Sequence, residues 1–145
     1  MTSGYVFDTE AIIAFLYREP GHASVAEYLA EVFAGKVDGF LAETNASEVF
    51  YLVARFEGIN ETPTDASLRV ADRDCRALER QGLRIEPADW RLAAKVKSYG
   101  HISIADAHAV ALASERDATL IAGADDDFDD LPITVALHRF RDHGV

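Results

Sequence analysis

Hydrophobic and polar positions follow two different spacings along the chain, and their alternation predicts an α/β fold. Short apolar runs bounded by polar or turn residues are typical of strands, which we place at Tyr5–Phe7, Gly39–Ala42, Leu83–Ile85, Thr119–Ala122 and Ile133–Leu137. Longer segments with apolar residues three or four positions apart predict helices over Glu10–Tyr17, His22–Phe33, Ala46–Phe56, Asp65–Gln81, Pro87–Tyr99 and Ile104–Glu115. This order indicates a central parallel sheet of about four to five strands flanked by helices, and 145 residues suit one domain over 1–145.

Four acidic residues lie where an apolar run gives way to the start of a helix. Asp8 follows the first strand directly, and Glu48 comes shortly after the second. Asp106 opens the last helix, and Asp125 follows the strand that ends at Ala122. A parallel sheet gathers such positions at the carboxyl ends of its strands. Convergent carboxylates bind hard cations, and pairs of such cations cut phosphodiesters.

Each of these acids also has a purely structural interpretation as a helix cap. Ser103 and Asp106 have the capping-box spacing, Asn45 and Glu48 form a close relative of it, and Asp8 precedes the first helix. The helix that follows Asp106 is apolar almost all round, which predicts that it is buried. Burying the Asp106 carboxylate at its start costs free energy unless the carboxylate is paired or bound to a metal. Capping and cation binding are compatible, because a helix N-terminus keeps a carboxylate ionised.

The run from Asp125 to Asp130 is the densest acidic segment. It shares its first spacings with an EF-hand calcium loop, but the sixth position is Asp130 instead of glycine and the twelfth is Ala136 instead of glutamate. Asp125 lies nearest the preceding strand and is the best placed to join the pocket, with Asp127 second. Whether Asp125 or Asp126 is the fourth acid stays open at this point.

Composition narrows the possible functions. The net charge of −11 argues against nucleic-acid binding driven by bulk charge, but it does not exclude a nuclease, because bound cations invert the local charge. Cys75 is the only cysteine, which excludes an internal disulfide and a zinc–thiolate cluster. No apolar run approaches the roughly 20 residues of a membrane span, and we expect a cytoplasmic protein.

The acidic segments, taken with their flanks, resemble the motifs of the PIN-domain nucleases, most closely the VapC-type toxins of toxin–antitoxin pairs. Val6–Thr9 is similar to the opening strand, Asp and Ser/Thr of that family, and Thr44–Glu48 is similar to its second motif. Ser103–Ala107 is similar to the third, and Leu120–Phe128 to the fourth. The fourth departs from the usual Thr-x-Asp, because Ala122 and Ala124 stand where the family often has other residues. The resemblance spans the whole chain, with the motifs in order.

The resemblance implies a metal-dependent endoribonuclease that uses Mg²⁺ or Mn²⁺. By analogy Asp8, Glu48 and Asp106 are the primary metal ligands and catalytic acids, and Asp125 completes the site with Asp127 as a further ligand. On the same analogy Thr9 and Ser103 orient water, a ligand or a phosphate through their hydroxyls, with plain helix capping as the alternative for both, and Asp126 is a further supporting residue. The implied partners are an RNA substrate such as tRNA or rRNA, a cognate antitoxin protein and a second copy of the chain in a homodimer.

The sequence has three alternative interpretations. A PIN-domain nuclease of RNA processing that is not a toxin, and a catalytically silent PIN-like binding module, both stay open. A haloacid-dehalogenase-like phosphatase needs a second Asp two residues after the first, where this chain has Glu10, and a late lysine, whereas none follows Lys97. That third reading is therefore disfavoured.

Overall fold

The computed structural model describes residues 4–124 and 126–141, which form a parallel sheet with helices on both faces. The strands are β1 (Gly4–Phe7), β2 (Asp38–Ala42), β3 (Arg84–Glu86), β4 (Thr119–Ala122) and β5 (Leu137–Arg139). The helices are α1 (Thr9–Tyr17), α2 (His22–Phe33), α3 (Glu43–Phe56), α4 (Asp65–Gln81), α5 (Trp90–Tyr99) and α6 (Ile104–Arg116), with a 3₁₀ turn at Asp126–Phe128. The predicted α/β class and parallel sheet are confirmed.

Alternate strand residues face two separate hydrophobic layers. Phe7, Leu41 and Ile121 pack on the side covered by α1–α4. Their neighbours Val6 and Leu120 pack on the side covered by α5 and α6. Burial on both faces explains why these strands read as continuous apolar runs in the sequence. No helix in the described part of the chain is long and apolar enough to cross a membrane.

The strand order places a chain reversal beside β1. The sheet runs β3-β2-β1-β4-β5, so successive strands first move outward on one side of β1 and then cross to its other side. The pairs β1–β2 and β1–β4 are both parallel. In such sheets the crevice at the carboxyl end of the strand where the order reverses is the usual ligand site. The residues that follow Phe7, Ala42 and Ala122 therefore lie where a ligand site is expected.

Three predicted elements differ from the structure by more than one residue, each for a local reason. Helix α3 begins at Glu43, three residues early, after an N-cap at Ala42 that has extended backbone and no side-chain cap. Helix α5 begins at Trp90 instead of Pro87, because the Asp89 side chain accepts from the N–H groups of Arg91 and Leu92. Strand β5 lies at Leu137–Arg139 instead of Ile133–Leu137. The apolar residues Ile133 and Val135 pack against the core beside it without forming part of that strand.

Candidate functional site

A cavity of about 300 Å³ opens among α1, α3 and α6. Helices α1 and α3 follow β1 and β2, and α6 precedes β4. We call the cavity among them the acid cavity. Its polar lining consists of three carboxylates and two hydroxyls, and its apolar lining of two aliphatic side chains: Glu10, Glu48, Asp106, Thr9, Ser103, Ile13 and Leu52. Three distant sequence segments therefore supply one pocket. Glu48, Asp106, Thr9 and Ser103 line this one pocket, and the roles predicted for them stay predictions.

Asp8 lies at the base of this region and is almost fully buried, with 1% of its surface exposed. It is the N-cap of α1, and its Oδ1 accepts from the Ala11 N–H at 2.6 Å. Its Oδ2 accepts from the Gly123 N–H, after β4, at 3.3 Å. One carboxylate thus joins the ends of β1 and β4 at the point where the strand order reverses. The interpretation as a helix cap is confirmed, and it leaves the charge of Asp8 buried.

The protonation of Asp8 is set by competing influences. Burial raises the pKa of the Asp8 carboxyl well above its usual range, and the N–H of Ala11 opposes that shift. The negative charges of Asp106 and Glu10 raise the pKa further, and the Gly123 N–H opposes them. Ionisation of Asp8 is therefore disfavoured, because burial and two neighbouring acids outweigh the two backbone amides that it accepts from. A cation at the cavity would supply positive charge that favours ionisation.

Ser103 and Asp106 begin α6 as the sequence predicts. The Ser103 hydroxyl caps the helix by accepting from the Asp106 N–H at 3.1 Å. Behind them α6 is buried on most sides, with Ala107, Val110 and Leu112 fully enclosed. The rigid helix start holds the Asp106 carboxylate in the wall of the acid cavity, next to the positive end of the helix dipole.

Glu48 reaches the cavity from the second turn of α3 instead of its first. The predicted capping box at Asn45 and Glu48 was wrong, since the helix already begins at Glu43. Glu48 is exposed toward the cavity, whereas Asn45 points inward and is fully buried. The Asn45 Nδ2 donates to the Thr9 Oγ1 at 3.0 Å, which ties α3 to the first turn of α1.

The structure describes only part of the acidic run that follows β4. Asp125 lies outside the described residues, and so does the side chain of Asp126, whose backbone belongs to the 3₁₀ turn. Asp127 lines a neighbouring cavity of about 290 Å³ with Tyr99, His101 and Asp130. It is not among the residues that line the acid cavity. The roles predicted for Asp125, Asp126 and Asp127 therefore stay predictions.

Two residues of this region escaped the sequence analysis. Glu10 lines the acid cavity, and its Oε1 lies 3.5 Å from the Arg141 Nη2. Its carboxylate also lies so close to Gly123 that a Cβ there would approach its Oε2 to 2.1 Å. The second residue is Asn45, for which the sequence predicts only a capping role. Its spacing of four from the buried Val49 was the available signal, because it places a polar residue on the apolar side of a helix.

The donor chemistry of the acid cavity fits a hard divalent cation. Within residues 4–124 and 126–141 no three Asp, Glu, His or Cys side chains come close enough to hold a metal ion by themselves. Mg²⁺ commonly uses one or two carboxylates and keeps several waters, so the convergence of Glu48 and Asp106 beside the buried Asp8 is compatible with it. Softer metals fit less well, because the described lining offers only oxygen donors.

An acid-lined cavity at the switch point of a parallel sheet defines an α/β protein with a candidate hard-cation site. Comparison with known families specifies the class: the family model "PIN domain" matches residues 5–133, and the chain belongs to this family. Members of the family are typically nucleases.

Among solved structures, the fold is similar to that in the crystal structure of FitAcB from Neisseria gonorrhoeae, with a TM-score of 0.60 and 18% sequence identity. The match covers 94% of this chain and 97% of the other. At that identity the likeness supports the fold alone. No curated protein sequence matches the chain significantly.

Proposed function

We propose that this PIN-domain protein is a metal-dependent endoribonuclease and the toxin of a toxin–antitoxin pair, with Mg²⁺ or Mn²⁺ as its cofactor. The observation that carries the proposal is the acid cavity, where carboxylates from α1, α3 and α6 meet beside the buried Asp8. A pure scaffold gains nothing from mutually repelling carboxylates, whereas a cation site requires them.

The proposed metal ligands are Asp8, Glu48 and Asp106, with Asp125 and Asp127 completing the site from the segment after β4. When bound, the cation would act as a Lewis acid that activates water and neutralises charge on the phosphodiester. The backbone amides of Ala11 and Gly123 fix the orientation of Asp8. The Ser103 cap fixes the start of α6 and thereby the position of Asp106. The chain thus orients its acids before a ligand arrives, which lowers the cost of assembling the site.

The proposed partners are those implied by the resemblance of the sequence motifs to the VapC-type toxins. The substrate would be RNA, with tRNA or rRNA as the expected classes. A cognate antitoxin would cover the acid cavity with a basic segment, since opposite charge is what the cavity attracts. We further propose a homodimer and a cytoplasmic location. Expression of the chain alone in a bacterial host should arrest growth, and expression of Asp8→Asn should not.

The direct test is incubation of total RNA with the purified protein in Mg²⁺, Mn²⁺ or EDTA. Wild type should cleave RNA only when a divalent cation is present, and Asp8→Asn should lose most of that cleavage. Single-stranded DNA of the same length tests the preference for RNA. Equal cleavage by both proteins would refute the site assignment, and no cleavage under any condition would favour a silent binding module.

A further inference from the structure

Among residues 4–124 and 126–141, the buried side-chain amide of Asn45 has one hydrogen-bond partner, Thr9, which lines the acid cavity. Asn45 is 0% exposed, and its Nδ2 donates to the Thr9 Oγ1 at 3.0 Å. Its Oδ1 has no hydrogen-bond partner in the described part of the chain. Burying an amide that is only partly satisfied is costly. A leucine or valine on this side of α3 would avoid the cost, as Val49 and Val53 do.

The bond from Asn45 determines what the Thr9 hydroxyl is able to do. A hydroxyl has one proton to donate and two lone pairs that accept. Because Asn45 donates to Thr9, the proton of the hydroxyl is not used in this contact. Thr9 is 6% exposed, and it is one of the residues that line the acid cavity. The proton is therefore available for an acceptor that enters the cavity.

Ser103 shows the same arrangement on the opposite wall. Its hydroxyl accepts from the Asp106 N–H, so its proton is likewise not used in that bond. Two hydroxyls that line the acid cavity thus have lone pairs engaged by protein N–H groups. The non-bridging oxygens of a phosphodiester are acceptors only, and they match such donors.

We propose that Asn45 is a positioning residue that fixes the Thr9 hydroxyl as a hydrogen-bond donor to a non-bridging oxygen of the substrate phosphodiester. This inference rests on the proposed function and adds a substrate contact to it. Asn45 does not line the cavity, so its influence on the substrate passes through Thr9.

A double-mutant cycle on cleavage of a short oligoribonucleotide in Mn²⁺ tests the inference. Thr9→Val keeps the shape of the side chain and removes the hydroxyl, and it should lower kcat/KM about tenfold. Asn45→Leu removes the amide, leaves the Thr9 hydroxyl free to rotate and should lower kcat/KM by a similar factor. The double variant should be no slower than Thr9→Val alone, because Asn45 acts only through Thr9. Thr9→Ser should recover most of the rate that Thr9→Val loses.

A second measurement does not depend on turnover. The same oligoribonucleotide is titrated in Ca²⁺ and its affinity is read by fluorescence anisotropy. Thr9→Val and Asn45→Leu should both weaken this affinity, and the double variant should again match Thr9→Val. Ser67→Ala is the matched control, since Ser67 is a buried polar residue whose hydroxyl accepts from the Thr64 N–H in the capping box of α4, and it does not line the cavity. It should lower the melting temperature and leave both readouts unchanged. If Asn45→Leu does not fold, Asn45→Val makes the same change with less bulk.

The outcomes separate this inference from the proposed function. A wild type that binds the oligoribonucleotide without cleaving it in Mn²⁺ would overturn the proposed function, and the binding cycle would then decide the inference. Losses that multiply in the double variant would overturn the inference, because Asn45 would then act independently of Thr9. Wild-type affinity and kinetics in Asn45→Leu would overturn it as well.

Discussion

Asp8 combines two requirements that a single carboxylate seldom meets. As the N-cap of α1 it must present an oxygen to the Ala11 N–H, which the bond of 2.6 Å satisfies. As a proposed metal ligand it must stay ionised, and burial and the charges of Asp106 and Glu10 oppose that. Ionising Asp8 in the apo protein is therefore unfavourable, at the position where a cation would be bound.

The pH dependence of stability tests this view of Asp8. Because the pKa of Asp8 is raised in the folded state, protonated Asp8 favours folding. Its contribution to the free energy of unfolding is complete below the ordinary pKa of 3.8 and is lost as the pH rises through the higher pKa of the folded protein. Asp8→Asn removes the ionisation and keeps a capping oxygen. Without metal at pH 7 the variant should be more stable than wild type by about 1 kcal/mol, or roughly 2–4 °C in melting temperature.

The measurement is thermal unfolding of both proteins in EDTA from pH 4 to pH 8. The gap between them should widen as pH rises. If Asp8→Asn were less stable than wild type at every pH, with a parallel profile, the buried charge would not be the cost we describe.

At the scale of single residues, the sequence predicted Glu48 and Asp106 but not Glu10. Glu48 in the helix after β2 and Asp106 at the start of α6 both line the cavity as expected. Glu10 was missed because its contacts with Gly123 and Arg141 join segments more than 100 residues apart. No periodic pattern carries that information.

At the scale of elements, two glycines at strand ends show how the neighbouring element determines whether a larger side chain is tolerated. Gly4 in β1 and Gly123 after β4 have equally little room, since an added Cβ would meet another atom at 2.2 and 2.1 Å respectively. The obstacle for Gly4 is the backbone carbonyl of Asp38 in the paired strand. The obstacle for Gly123 is the Glu10 carboxylate, the far end of a flexible side chain.

Gly4→Ala and Gly123→Ala should therefore differ in stability. Gly4→Ala must displace β1 from β2 and should cost about 1–3 kcal/mol. Gly123→Ala only has to move Glu10 and should cost less than half as much. Urea unfolding of both variants measures the difference. Equal losses would show that Glu10 is held as rigidly as a backbone strand.

Element boundaries were predicted well where local signals dominate. Helix α4 matches its predicted Asp65–Gln81 range, because Thr64 and Ser67 form a reciprocal capping box and Gly82 ends the helix. Strand β5 was misplaced, since hydrophobicity marks burial, whereas pairing with β4 begins only at Leu137. The start of α3 was misplaced because its N-cap carries no side-chain signal.

The whole molecule carries a net charge of −11, and this sets a background for every metal experiment. Self-repulsion of that size destabilises a compact state, and added salt relieves it by screening. Melting temperature should therefore rise between low salt and about 0.5 M NaCl even in the presence of EDTA. A melting temperature that falls over this range would contradict the expected repulsion.

The effect of a cation bound in the acid cavity must be distinguished from the general screening of negative charge by cations. Helix α3 offers a matched pair of variants for this purpose. Glu43 lies exposed in the first turn of α3 and does not line the acid cavity, whereas Glu48 does. Replacing either with glutamine removes one negative charge from the same helix. The two variants therefore lose nearly the same general attraction for cations. They differ in that only Glu48→Gln removes a carboxylate from the acid cavity.

The most direct test of the central claim is a calorimetric titration of Mn²⁺ into wild type, Glu48→Gln and Glu43→Gln at fixed ionic strength. Wild type and Glu43→Gln should bind Mn²⁺ with the same affinity, and Glu48→Gln should bind at least about tenfold more weakly. Equal affinity in all three proteins, or no binding to wild type, would contradict the claim that the acid cavity is a cation site.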